Sequence, residues 1–232
     1  MKGPRVLTVK KVFFRRGAVS VGFLITGLFS IILAILAWFG ANTGNFIIVL
    51  DKDGYRRGIM LCTEESFGKP EPRLYTSPIG DVNNISYDDI QLQQIKQTDG
   101  AFYDTDSSYL AYTFYLKNNG SETVNIQYRV YITETYRNAD KAIRVLLVED
   151  DEYERLFQKP DNVECEYRGM PPSIHFVDND TVVLDIITDF KPGDIKKFSI
   201  VIWLEGQDPD CTDDILGGMI KLRMKFDIMD EE

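Results

Sequence analysis

The first fifty residues contain no aspartate or glutamate, and six basic residues (Lys2, Arg5, Lys10, Lys11, Arg15 and Arg16) stand unopposed there. The rest of the chain reverses the imbalance. Residues 51–232 hold 20 basic and 36 acidic side chains, a net of −16 within a chain total of −10, and a module so acidic repels nucleic acid. Histidine is nearly missing, with His175 alone. No Gly-x-Ser-x-Gly elbow and no His-Glu-x-x-His zinc helix occurs, which removes the commonest hydrolase and metalloprotease patterns, and a lone histidine in a strand-like segment reads as structural. The three cysteines, Cys62, Cys165 and Cys211, are too widely separated for Cys-x-x-Cys zinc or thioredoxin chemistry. An exported domain permits a disulfide, with Cys165–Cys211 the preferred pairing and three free thiols the alternative. No Gly/Ser-rich or Pro-rich linker divides the chain, and 44% hydrophobic with 27% charged residues argues against disorder.

What is present, first, is one long apolar run. Residues 17–40, GAVSVGFLITGLFSIILAILAWFG, carry no charge and no proline. As a helix they would be roughly 36 Å long, enough to cross a hydrocarbon core of about 30 Å with room for tilt. A cleavable signal peptide would have a shorter apolar region ending in small residues, whereas Trp38 and Phe39 stand where cleavage needs them small and suit an interfacial aromatic belt. Lys10, Lys11, Arg15 and Arg16 precede the run, so the positive-inside rule places the N-terminus in the cytoplasm. The expected organisation is a basic cytoplasmic tail (1–16), a single transmembrane helix (17–40) and an extracytoplasmic domain (41–232) at the cell membrane.

Beyond residue 41 the periodicity is that of strands. Leu110, Tyr112, Phe114 and Leu116 share one face of a segment that ends in Lys117-Asn118-Asn119-Gly120-Ser121, a turn in which Asn and Gly readily supply positive φ. The following strand places Val124, Ile126, Tyr128, Val130 and Ile132 inward and Asn125, Gln127, Arg129, Tyr131 and Thr133 outward. After Pro192-Gly193-Asp194, Phe198, Ile200, Ile202 and Leu204 alternate, and near the end Ile220, Leu222, Met224 and Phe226 alternate with Lys221, Arg223, Lys225 and Asp227. Further candidates are 46–50, 58–62, 143–148, 173–177 and 181–186. Residues 136–142 and 152–158 look like short helices, and 62–95 like a long surface loop. Eight or nine short strands without a βαβ rhythm predict an all-β fold, an antiparallel β-sandwich of Ig-like or jelly-roll-like type.

Chemistry-bearing residues are sparse. Asp208, Asp210, Asp213 and Asp214 crowd one loop, and carboxylate oxygens on a loop are what calcium takes, although the spacing is not that of an EF-hand. A solvated acidic loop is the plainer alternative. No catalytic or cofactor-binding residue is assigned. Tyr109, Tyr115 and Tyr131 fall on predicted outward faces, where a tyrosine serves contact with a partner or packing under a second layer.

Several segments together carry a resemblance: Ala111-Tyr112-Thr113-Phe114-Tyr115-Leu116-Lys117-Asn118, Ala142-Ile143-Arg144-Val145, Pro192-Gly193-Asp194, Ile202-Trp203-Leu204-Glu205-Gly206, Asp208-Pro209-Asp210-Cys211 and Gly217-Gly218. In these the chain resembles a group of membrane-anchored β-sandwich proteins of Gram-positive bacteria, mainly gut Firmicutes, to which no activity is assigned. More distantly it is similar to camelysin and the TasA biofilm-matrix fibre proteins. The function expected is that of a non-enzymatic, single-pass cell-surface protein acting through contacts with other protein chains or with itself, either by self-assembly or as a subunit of an envelope complex, with the strand at 45–51 a candidate for donation to a neighbour. The alternative is an extracytoplasmic metal-dependent binder or enzyme using the 208–214 loop.

Overall fold

The computed structural model describes residues 23–35, 45–77, 80, 82–104, 106, 108–160 and 171–229. The chain divides into two compact units, 1–43 and 44–232. In the first, residues 23–35 are helical. Among the described residues no helix is long and apolar enough to cross a membrane, and residues 17–22 and 36–40 of the expected span lie outside them.

The second unit is an all-β sandwich, with twelve strands among the described residues. One sheet has five strands in the order β10-β6-β12-β1-β3: β1 is Phe46–Leu50, β3 Arg73–Tyr75, β6 Val124–Tyr136, β10 Thr181–Phe190 and β12 Met219–Met229. The other has seven, β2-β5-β11-β7-β8-β9 with β4 also paired to β5. These are β2 (Ile59–Cys62), β4 (Gly100–Phe102), β5 (Tyr109–Asn118), β7 (Ile143–Glu149), β8 (Tyr153–Gln158), β9 (Ser173–His175) and β11 (Ile195–Leu204). The expectation of a purely antiparallel sandwich is corrected: β1 runs parallel to β12 and β8 parallel to β9, so both sheets are mixed. β1 is hydrogen-bonded on both sides in its own sheet, with Phe46, Ile48 and Leu50 buried. It is therefore not a free strand awaiting a neighbour.

The sheets meet on the alternating faces read from the sequence. Ile126, Tyr128 and Val130 of β6 and Met224 and Phe226 of β12 pack against Phe114, Phe198 and Ile200 of the seven-stranded sheet. At the centre, the rings of Phe114 and Phe198 stack at 5.3 Å between centroids, and Phe198 meets Tyr128 and Phe226 edge-on, each at 5.5 Å. Both sheets and both hydrophobic clusters lie within 44–232, which makes this unit self-contained in folding.

A second cluster covers the outer face of the seven-stranded sheet. Tyr109, Ala111, Leu146, Leu156, Val201 and Trp203 are buried there beneath Ile85, Tyr87, Ile90, Leu92 and Ile95. The segment read as a surface loop thus includes a roof, carrying a one-turn 3-10 helix at Tyr87–Asp89 and a short helix at Leu92–Lys96. Its apolar residues are too irregularly spaced for either period, which hides it in the sequence. Tyr109 and Tyr115, expected outward, are both buried, Tyr109 within this cluster. Residues 152–158 are likewise corrected from helix to strand. Asp150 and Asp151 both take positive φ, 52° and 62°, and turn β7 back onto β8, so that Phe157 enters the main core and Leu156 the outer cluster.

Candidate functional site

The four carboxylates of the 208–214 loop do not converge. Asp208 is fully buried and accepts a hydrogen bond from the Arg144 guanidinium at 2.6 Å, both side chains being out of solvent. Its other oxygen accepts the Asp210 amide at 2.7 Å. Asp210 borders a shallow depression with Lys141, Lys159 and Asp178, Asp213 lines a separate cleft, and Asp214 is exposed. Among the described residues no group of three potential ligands is gathered around a metal-sized space. Asp208 serves the fold: it neutralises an arginine that β7 carries into the interior.

The cleft holding Asp213 is the larger opening, about 680 Å³, at one end of the sandwich. Leu110, Ile143 and Ile202 form part of an apolar floor, with Asn83, Asn84, Thr212 and Asp213 around it. Its size falls in the range of small-molecule sites. Cys211 also lines it, and burial, then Asp208 and Glu205, push its thiol pKa up, which disfavours the reactive thiolate. Cys62 and Cys211 are both free thiols, and Cys165, the partner expected for Cys211, lies outside the described residues. His175 is exposed on β9.

A polar network joins the two sheets where β6 and β10 face β7, β8 and β11. The Tyr128 hydroxyl donates to Glu149 at 2.7 Å, while Arg155 donates to that hydroxyl, to Glu149 and to Asp185. Lys196 reaches Glu149 at 2.9 Å and Asp150 at 3.0 Å. Burial, then the bond to Glu149, drives the Tyr128 phenol pKa strongly upward. Burial alone would lower the pKa values of Arg155 and Lys196, but their carboxylate partners, joined at Arg155 by Tyr128, outweigh it and hold both above their usual values. Each charge here answers another, as a clamp between sheets requires.

The outer face of the five-stranded sheet is different: among the described residues no second layer covers it. Arg129 of β6, Lys221, Arg223 and Lys225 of β12 and Arg73 of β3 point outward, interspersed with Tyr75, Tyr131, Leu184 and Ile186. Register sets Lys225 directly beside Arg129, and Arg223 beside Tyr131. Lys221 pairs with Glu134 and Lys225 with Asp227. Among the described residues no ion pair engages Arg73, Arg129 or Arg223, and the buried Nε of Arg223 has no hydrogen-bond partner. Arg129 lies 4.3 Å from the centroid of the Tyr131 ring. The sequence placed Arg129, Tyr131, Lys221, Arg223 and Lys225 outward, while Arg73 and Tyr75 lay in the stretch read as a loop. What it did not show was that β6, β12, β1 and β3 are neighbours.

No family model matches this chain, and no curated protein matches it. Among solved structures it is similar to a β-glucosidase from Kluyveromyces marxianus in complex with glucose, at a TM-score of 0.24 and 10% identity over 75% of this chain and 15% of that one. A likeness of that size carries no argument about fold or activity.

Proposed function

We propose that this protein is a single-pass, membrane-anchored cell-surface protein whose Ig-like or jelly-roll-like sandwich has a non-catalytic role, acting through contacts with other protein chains or with copies of itself. What carries the reading is the helix at 23–35. All of its residues are exposed, and Phe23, Leu24, Ile25, Leu28, Phe29, Ile31, Ile32, Leu33 and Ile35 keep 45–74% of their surface uncovered. A helix that is apolar all round needs an apolar surrounding, and this one lies in the middle of the uncharged run 17–40, long enough as a helix to span. The basic residues before the run support a cytoplasmic N-terminus and an extracytoplasmic 41–232.

The contact role is supported by the sheet edges. β3 and β9 have three residues each, and β2 and β4 have four and three. β10 has ten and, among the described residues, is paired on one side only, with Leu184 and Ile186 exposed. A long edge strand with apolar side chains is a template for a partner's strand. Two measurements test this. Alkaline carbonate should leave the full chain in the membrane pellet of its host, and its release would end the anchored reading. In sedimentation, residues 44–232 should associate as concentration rises, and Leu184→Lys, which puts a charge on the edge, should abolish that; a unit monomeric throughout would end the self-assembly reading.

A further inference from the structure

We propose that the outer face of the five-stranded sheet docks on anionic phospholipid headgroups. This rests on the anchored reading above for the source of the lipid. The argument is electrostatic. In a unit whose sequence from residue 51 carries −16, five cations share one sheet face, and among the described residues the ion pairs formed there engage Lys221 and Lys225 alone. Lys225 and Arg129 stand directly opposite each other across neighbouring strands, an arrangement that destabilises a sheet because like charges are held a few ångströms apart. Arg73 lies two strands beyond Lys225 in the same row, through Val49. Among the described residues no carboxylate forms an ion pair with Arg73, Arg129 or Arg223, and only the exposed Asp178 is near enough to Arg129 to feel its charge, so the face is complementary to an external polyanion.

Two features select a bilayer over other polyanions. The charges are interspersed with Leu184, Ile186, Tyr75 and Tyr131, a mixture that suits the boundary between headgroup and acyl chain. The apolar run also ends at Gly40, six positions before β1 begins, so headgroups around the anchor are the phosphates at highest effective concentration. An acidic unit is repelled by an anionic surface from most directions, which leaves this face as the one that can approach.

The test is co-sedimentation of residues 44–232 with vesicles of phosphatidylglycerol mixed with phosphatidylcholine, against vesicles of phosphatidylcholine alone. Binding to the anionic vesicles only, lost at high salt, is expected. The triple variant R129Q/R223Q/K225Q should bind about a hundredfold more weakly, since each basic residue near such a surface contributes about 1 kcal/mol. The control R56Q/K69Q/K191Q, with the same loss of charge elsewhere on the surface, should keep full binding. Circular dichroism on all three proteins checks folding, and should the triple variant not fold, the single variant Arg129→Gln, on a fully outward side chain, carries the test with about a fivefold loss expected. Equal binding to both vesicle types, or unchanged binding by a folded Arg129 variant, overturns the proposal. Binding to soluble polyphosphate but not to vesicles overturns it too, in favour of an anionic polymer. Failure of the anchored reading shows separately as carbonate release of the full chain, and failure of the edge reading as a unit that stays monomeric in sedimentation.

Discussion

At the scale of single residues, the most consequential contact is between Arg144 and Asp208. Both are fully buried and meet at 2.6 Å, and taking two charges out of water is costly unless each satisfies the other. Arg144→Ala is therefore expected to destabilise the unit by about 3–5 kcal/mol, because it leaves a carboxylate buried without its counter-charge. The double variant Arg144→Met/Asp208→Leu should recover most of that loss, and urea denaturation midpoints of the three proteins check both statements. In the sequence Asp208 reads as one acid of an acidic loop and a candidate calcium ligand, with no sign of a buried partner. Its partner lies 64 positions earlier, and only the pairing of β11 with β7 brings the end of one strand near the start of the other.

At the scale of elements, the turn after β5 shows a right location with a different cause. Lys117-Asn118-Asn119-Gly120-Ser121 does join two strands, but none of these five residues has positive φ. Gly120 is needed for closeness: a Cβ there would lie 2.1 Å from the Arg57 carbonyl oxygen. Asn118 holds the turn, its side-chain amide donating to the Glu122 and Phe190 carbonyls and its oxygen accepting the Gly120 amide. Gly120→Ala should cost roughly 1–3 kcal/mol, as overpacking does, read as a lowered melting temperature of residues 44–232. Little or no loss would mean the backbone of Arg57 moves aside freely. The strand periods of β6, β11 and β12 were plain in the sequence because one face of each segment is apolar. β8 and the roof over the seven-stranded sheet were not, because residues buried on both faces, or buried irregularly, leave no period to read.

At the scale of the whole molecule, the unit buries phenols in both layers. Burial is the largest cause raising the pKa values of Tyr87, Tyr109, Tyr112, Tyr115 and Tyr128, with Tyr112 and Tyr115 each pushed up to about 12. The fold thus favours the neutral phenol, while an unfolded chain ionises it near pH 10. The stabilisation is fully present below about pH 10 and is lost as pH climbs from about 10 toward 12. Denaturant midpoints should hardly change up to that window and then fall, and Tyr112→Phe should shallow the fall. An unchanged slope in the variant would show that the ionisation of this phenol is not coupled to unfolding.

The sequence by itself determined what depends on local order: an apolar run of 24 residues with basic residues only before it, and the alternation that sorts each strand into a buried and a solvated face. These are legible because hydrophobic burial acts residue by residue at a fixed period. The tertiary structure decided everything that depends on which strands are neighbours: the mixed sheets, the Arg144–Asp208 pair, the dispersal of the 208–214 carboxylates, and the row from Arg129 through Lys225 to Arg73. Electrostatic and hydrogen-bonding partners are fixed by distance in space, and pairing between strands far apart in sequence sets that distance.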